Sequence, residues 1–188
     1  MRIIRNIPAI CIVIAATFLL LACAGQTRVE SNMHIKGAPD WVNEGTAILK
    51  NKKGRLFHGV GSAPPMGDRS LQTDTADNRA RAALARILTS YMEIVSSDYT
   101  HAEGDGGAAP DQSITRQIDN ITRVNLTGSR IIGRWRDKKT GIVYAIAELD
   151  MKQVKDTLKG VKDMNEGFRD YAATHGDNIF DRMARGGE

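Results

Sequence analysis

Two cysteines among 188 residues leave no disulfide framework to staple this chain. Aromatic side chains make up only 5% of it, so the expected core is aliphatic and rich in alanine. A long apolar run is also missing. The longest, residues 7 to 22 (IPAICIVIAATFLLLA), has 16 residues. As a helix it would reach about 24 Å at ~1.5 Å per residue, short of a ~30 Å hydrocarbon core. Excess charge is small as well: the formal net charge is +4, and Arg2 and Arg5 supply two of those charges with no acid nearby. Without them the chain is near +2, a balance that demands no nucleic-acid partner.

What stands at the amino terminus is a short positive segment, the apolar run, and then Leu20-Leu21-Ala22-Cys23 followed by the polar AGQTR. This is the layout of an export signal, and its end resembles the lipobox of bacterial lipoproteins. The resemblance implies a diacylglyceryl thioether on Cys23, cleavage between Ala22 and Cys23, and acylation of the new amino terminus. Two or more acyl chains anchor a protein stably where one does not. Ala24, in place of Asp, points to the bacterial outer membrane by the sorting rule of enteric-type bacteria. The 166 residues that remain after cleavage fit one domain with an ordinary core.

The chain divides into a signal peptide (1–22), a lipidated tether (23–38), an α+β domain (39–150) and a helical tail (151–188). The tether, AGQTRVESNMHIKGA after Cys23, has no apolar periodicity, and the folded part is expected from Pro39-Asp40-Trp41-Val42. LFHGVGSA (56–63) reads as a first strand, closed by Gly59, Gly61 and the breaker Pro64-Pro65-Met66-Gly67. From 70 to about 97, Ala76, Ala80, Ala83, Leu84, Ile87, Leu88, Tyr91, Met92 and Val95 recur at helical spacing. Asp77, Arg79, Arg81 and Arg86 are expected on the solvated side of that helix. AEGDGGAAP (102–110) reads as a surface loop, and a second helical stretch is expected from Ser113 to Ile121.

RVNLTGSRIIGRWRD (123–137) alternates like a strand. Its apolar phase slips around Gly128, where a β-bulge is expected. Asp137-Lys138-Lys139-Thr140-Gly141 is a hairpin turn into the apolar strand IVYAIAELD (142–150). In the tail, Met151, Val154, Leu158, Val161, Met164 and Phe168 return to helical spacing, weakened by Gly160, Gly167 and Gly176. The fold class is therefore α+β: a small antiparallel sheet in strand–helix–strand–strand order, packed by one long helix, plus a helical tail.

No motif points to catalysis. Gly59-Val60-Gly61-Ser62 fits neither a P-loop nor a dinucleotide fingerprint, and Ala63 rules out a G-x-S-x-G elbow. His34, His58, His101 and His175 have no metal-ligand spacing, so no cofactor and no metal are expected. Arg130, Arg134 and Arg136 fall on one face of an ideal strand, with Lys138 and Lys139 at its end. They are a candidate face for an anionic ligand or partner, although a solvated sheet face is the ordinary explanation. Trp135 would then lie on the opposite, core side. The tail could form a subunit seam, but it has too few clean heptads, and packing on its own domain is favoured.

Taken together, PDWV, FHGVGSA, ADNRARAALARIL and LTGSRIIGRWRDKKTGIVYAIAELD, in that order behind a lipobox, resemble the Lpp-twenty lipoprotein family. The resemblance covers residues 39 to 150. It implies a small α+β domain anchored in the outer membrane, without enzymatic activity, in a family whose members include flagellar-disc and motility proteins and surface antigens. The function expected is a structural or assembly role in the cell envelope, plausibly flagellum-associated and self-assembling. Partners would be the membrane, through the lipid, and other copies or an envelope protein. The alternative is a monomeric module that regulates a peptidoglycan synthase or binds an anionic envelope ligand.

Overall fold

The computed structural model describes residues 34–45, 54–102, 112–161 and 164–185. The signal peptide, the Ala22–Cys23 cleavage site, most of the tether and the loop 103–110 lie outside the described residues. The packed body begins at Ile35, four residues before the expected start. There the Asn43 side chain bonds both the N–H and the C=O of Ile35, at 2.8 and 3.1 Å, and fastens the incoming chain to a one-turn helix, α1 (Asp40–Asn43).

The elements that follow are β1 (Leu56–Ala63), α2 (Arg69–Ala102), α3 (Gln112–Thr127), β2 (Arg130–Arg136), β3 (Val143–Asp150), α4 (Met151–Gly160) and α5 (Glu166–Ala184). The three strands form an antiparallel sheet in the order β1-β3-β2. The long helix α2 lies on one face of it, so the fold is α+β in the strand–helix–strand–strand order expected.

Strand alternation sorts the sheet into two faces. Phe57, Gly59, Gly61 and Ala63 of β1 pair with Leu149, Ala147, Ala145 and Val143 of β3 and face α2. The glycines do not close the strand. They sit in its middle because α2 lies against them: a Cβ at Gly59 would collide with the backbone at Ala80 and Leu84, and one at Gly61 with Arg79 and Ala80. Ala76, Ala80 and Leu84 on the helix are fully buried there. Small residues on both sides bring helix and strand backbones together, and Pro64-Pro65 ends the strand.

With 34 residues, α2 is about 50 Å long at ~1.5 Å per residue, well beyond what an eight-residue strand spans. Its first half covers the sheet and its second half carries α3 and α5. Asp68 caps its start, accepting from the N–H groups of Ser70 and Leu71 at 2.7 and 3.1 Å. Where α5 docks, the core is aromatic: Phe57, Tyr91 and Phe180 meet edge to face, with centroids 5.3 and 4.9 Å apart for Phe57–Tyr91 and Phe57–Phe180. Elsewhere the core is aliphatic and rich in alanine, as expected from composition: Ala76, Ala80 and Leu84 lie under the sheet, and Ile118, Ile121, Val154 and Leu158 lie beyond it. Burial pushes the Tyr91 hydroxyl well above the ordinary range of a phenol.

Residues 123 to 127 are helical rather than extended. α3 runs through them to Thr127, burying Ile118, Ile121, Thr122 and Asn125 at helical spacing. Asn125 is fully buried. Its amide donates to the Ile121 carbonyl at 2.9 Å, and its oxygen accepts from the Thr157 hydroxyl of α4 at 3.1 Å. The tail breaks after Gly160, where Val161 turns extended, and α5 starts at a new cap, Asn165, which accepts from Phe168 N–H at 3.0 Å. Both tail helices belong to the same packed body: Met151, Val154, Leu158, Phe168, Ile179 and Phe180 are all in its core. Gly167 and Gly176 lie within α5 where Tyr99 and Tyr91 approach, so there they serve packing.

Candidate interaction surface

The face of the sheet turned away from α2 carries His58, Val60 and Ser62 of β1, Tyr144, Ile146 and Glu148 of β3, and Gly133 and Trp135 of β2. Only one side chain of α1 is seen against it. Trp41 reaches over Gly133, where a Cβ would stand 3.9 Å from its ring and 3.3 Å from Ile146 Cγ2. Ile146 is buried beneath, while Trp41, Trp135, Tyr144 and Val60 stay half-exposed. Trp135 and Tyr144 face each other across the strands with centroids 5.6 Å apart. Trp135 is therefore on the open face and not in the core.

The reason is a bulge. β2 pairs Ile131 with Ala147 and Gly133 with Ile146, which leaves Ile132 as the extra residue, 46% exposed. The bulge stands here and not at Gly128. It inverts the alternation beyond it, so the three arginines do not share a face. Arg130 lies on the open face, donating to Glu148 Oε1 at 2.9 Å; Glu148 Oε2 is 3.1 Å from His58 Nε2. Those three side chains cross all three strands. Arg134 points to the helix side, where its guanidinium grips Asp77 of α2 through two bonds, Nε to Oδ1 at 2.8 Å and a shorter one to Oδ2. Asp77, expected in solvent, is 6% exposed. Helical spacing already placed it with Ala80 and Leu84, and only its charge argued otherwise. Arg136 follows at the hairpin end of β2 and is exposed.

In the hairpin, Asp137 accepts from the Lys139 N–H at 2.9 Å, the Thr140 N–H at 3.3 Å and the Thr140 hydroxyl. Those bonds, the hydroxyl first, hold its carboxyl below its ordinary range. Gly141 takes the positive φ of +74° that the turn needs. Lys138 and Lys139 project from the tip into solvent.

The two edges of the sheet differ. Met151 N–H donates to the Arg55 carbonyl at 2.9 Å, which fixes the phase of the β1–β3 ladder. Phe57, Gly59, Gly61 and Ala63 bond inward, and the backbone groups of His58, Val60 and Ser62 point outward. Arg79 Nη1 takes the Ser62 carbonyl at 2.8 Å, and β1 itself carries no lysine, arginine or acid. The β2 edge is bulged and studded with Arg134 and Arg136.

A cleft of about 600 Å³ lies between Arg130, Glu148, Asp150, Lys152, Gln153 and Asp156. Its charges answer one another: Arg130 with Glu148, Lys152 with Asp156 at 2.8 Å, and Asp150 with the N–H of Lys152. Among the described residues no three His, Cys, Asp or Glu side chains converge as a metal site, and no helix is long and apolar enough to cross a membrane. No protein-family model matches the chain, and no curated protein matches it.

Proposed function

We propose that the chain is a non-enzymatic lipoprotein of the bacterial outer membrane, of the Lpp-twenty kind, that builds envelope structure around a flagellum by joining copies of itself. Cys23 fixes the body to the membrane, and the sheet supplies the joint. The observation that carries this reading is the strand order. It leaves β1 and β2 as edges, with outward backbone groups at His58 and Val60 of β1 that have no charged residue of that strand to guard them. β1 and β2 are both antiparallel to β3 and so run parallel to each other. An edge-to-edge joint from β1 of one copy to β2 of the next is therefore head-to-tail, the kind that closes into rings or extends. A β1-to-β1 joint is sterically poor, because α2 lies directly over β1 in both copies.

The reading in which Arg130, Arg134 and Arg136 bind an anionic ligand together has less support, since the bulge separates them and Asp77 occupies Arg134.

The test is the mass of the lipidated protein, extracted from its own membranes in mild detergent, by light scattering after size exclusion. A ring-sized or heterogeneous multimer is expected. Val60→Pro removes one outward N–H without touching the ladder to β3, and should return a folded monomer. A wild-type monomer would overturn the reading.

A further inference from the structure

The open face of the sheet offers aromatic rings with little net charge around them. Both tryptophans of the chain and Tyr144 lie on it half-exposed. Trp41 stands over Gly133, and Trp135 is the next open-face position of β2, about 7 Å further on at ~3.4 Å per residue. Tyr144 lies across from Trp135 on β3. At the far end of the face Arg130 and Glu148 neutralise each other, and α1 with its C-cap adds Asp40 and Glu44. This balance is not built to hold an anion.

The face is also small. Three strands ~4.8 Å apart, over the seven residues of β2 at ~3.3 Å each, give roughly 300 Å². A stable protein interface takes about 800 Å² from each partner. At one end the face runs into the cleft, because Arg130 and Glu148 line both. Tyr144 and Glu148 are four residues apart on β3, about 13 Å, and beyond them the cleft presents the planar groups of Asp150, Gln153 and Asp156. Aromatic rings followed by planar polar groups suit a sugar chain. The C–H faces of a pyranose stack on aromatic rings, and its hydroxyls are bound in pairs by carboxylate, amide and guanidinium groups.

We infer that the open face and the cleft form one binding strip for an uncharged polysaccharide of β-linked pyranose rings, stacked on Trp41, Trp135 and Tyr144 and hydrogen-bonded at Arg130, Glu148 and Gln153. A strip this long, with no pocket around its aromatic end, suits an extended chain held along its length; a single sugar would be little buried there. The inference concerns the face and not the sheet edges, so it stands apart from the joint between copies. In a chain anchored through Cys23, the strip would tie the membrane to a glycan layer.

Because the only tryptophans lie on the strip, their emission reports its occupancy. The lipidated chain, in a detergent without a sugar headgroup, would be titrated with chitotetraose, an uncharged β-1,4-linked tetramer. A saturable blue shift is expected, with affinity at least about tenfold above that for free N-acetylglucosamine, and it should hold from about 0.1 to about 1 M salt, where the screening length falls from ~10 to ~3 Å. By calorimetry, Trp135→Ala should weaken binding about tenfold, and Gln153→Ala by a few-fold, with the circular dichroism spectrum kept.

The absence of both shift and heat with chitotetraose and cellotetraose overturns the inference; a multimer that binds neither sugar leaves the joint standing. Unchanged affinity in both variants places the sugar elsewhere and overturns the strip. Equal binding of maltotetraose, whose α-links coil the chain, overturns the extended ligand. Affinity that falls steeply with salt, or a preference for polygalacturonate, overturns the uncharged one. Blue-shifted emission that grows with protein concentration in the absence of sugar would mean that a second copy covers the face, and overturns the inference.

Discussion

The two faces of the sheet are closed by opposite means. On the helix side, Gly59, Gly61, Ala145 and Ala147 leave so little side chain that α2 comes down onto the backbone of β1. On the other side the strands carry His58, Val60, Tyr144, Ile146 and Trp135, larger groups that stand up from the sheet, with Trp41 over Gly133. The first face has no room for a changed atom and thus determines stability. The second has more room, and its aromatics Trp41, Trp135 and Tyr144 stay half-exposed. In a body this small, separating the two tasks by strand alternation lets the surface vary without unfolding the core.

The sharpest way to break this contrast is to put the same kind of change on both faces. Gly59→Val should cost about 3 kcal/mol or more, or abolish folding, because its Cβ meets helix backbone that cannot move aside. Gly133→Ala, whose new methyl would stand 3.3 Å from Ile146 Cγ2, should cost less than about 1 kcal/mol in urea unfolding. Similar losses at the two sites would show that the open face is as tightly closed as the other.

The arginines give the next largest effect. Arg134→Met strands the buried carboxylate of Asp77, and breaking such a pair from that side is expected to cost about 3 kcal/mol. Arg130→Met, at a side chain 75% exposed, should change stability by less than about 0.5 kcal/mol. Equal costs would mean that Asp77 finds water or another partner when Arg134 is gone.

The sequence made β1, the long helix and the β2–β3 hairpin legible, because in each the apolar period is unambiguous or the turn signal is strong; the break in the tail was not placed, since Gly160, Gly167 and Gly176 carried the same signal and only the first ends a helix. It misled where a polar residue is buried. Asn125 counted as an outward polar position, which turned the helical spacing of Ile118, Ile121 and Thr122 into an apparent alternation of Val124 and Leu126. Asp77 misled in the same way, by carrying a charge at a buried helical position. The faces of Arg130, Arg134 and Trp135 were not legible because one bulged residue, Ile132, reverses every side chain beyond it, and a bulge leaves little trace in composition. Trp41 was read as the start of the domain, but no local pattern could tell that it covers Gly133.

The smallest effect tests whether the helix-covered face is sealed by charge at its outer rim, where α5 meets the start of β1. Arg55 donates to both oxygens of Asp181 at 2.9 and 2.7 Å and lies 3.3 Å from Asp177. The hydrogen bond from Arg55 holds the Asp181 carboxyl below its ordinary value of 3.8. A carboxyl depressed by folding stays ionised in the folded chain while the unfolded chain already takes up its proton. Its contribution is therefore full above about pH 4 and is lost as pH falls through the lower folded value. Both partners are more than a third exposed, so solvent screening limits the effect to about 1 kcal/mol or less. Asp181→Asn should lower the thermal midpoint slightly at pH 7, and that deficit should shrink toward zero between about pH 4 and pH 2. A deficit that stays constant across this range would assign the loss to packing around Phe180 instead, and the rim would then be sealed by the aromatic cluster alone.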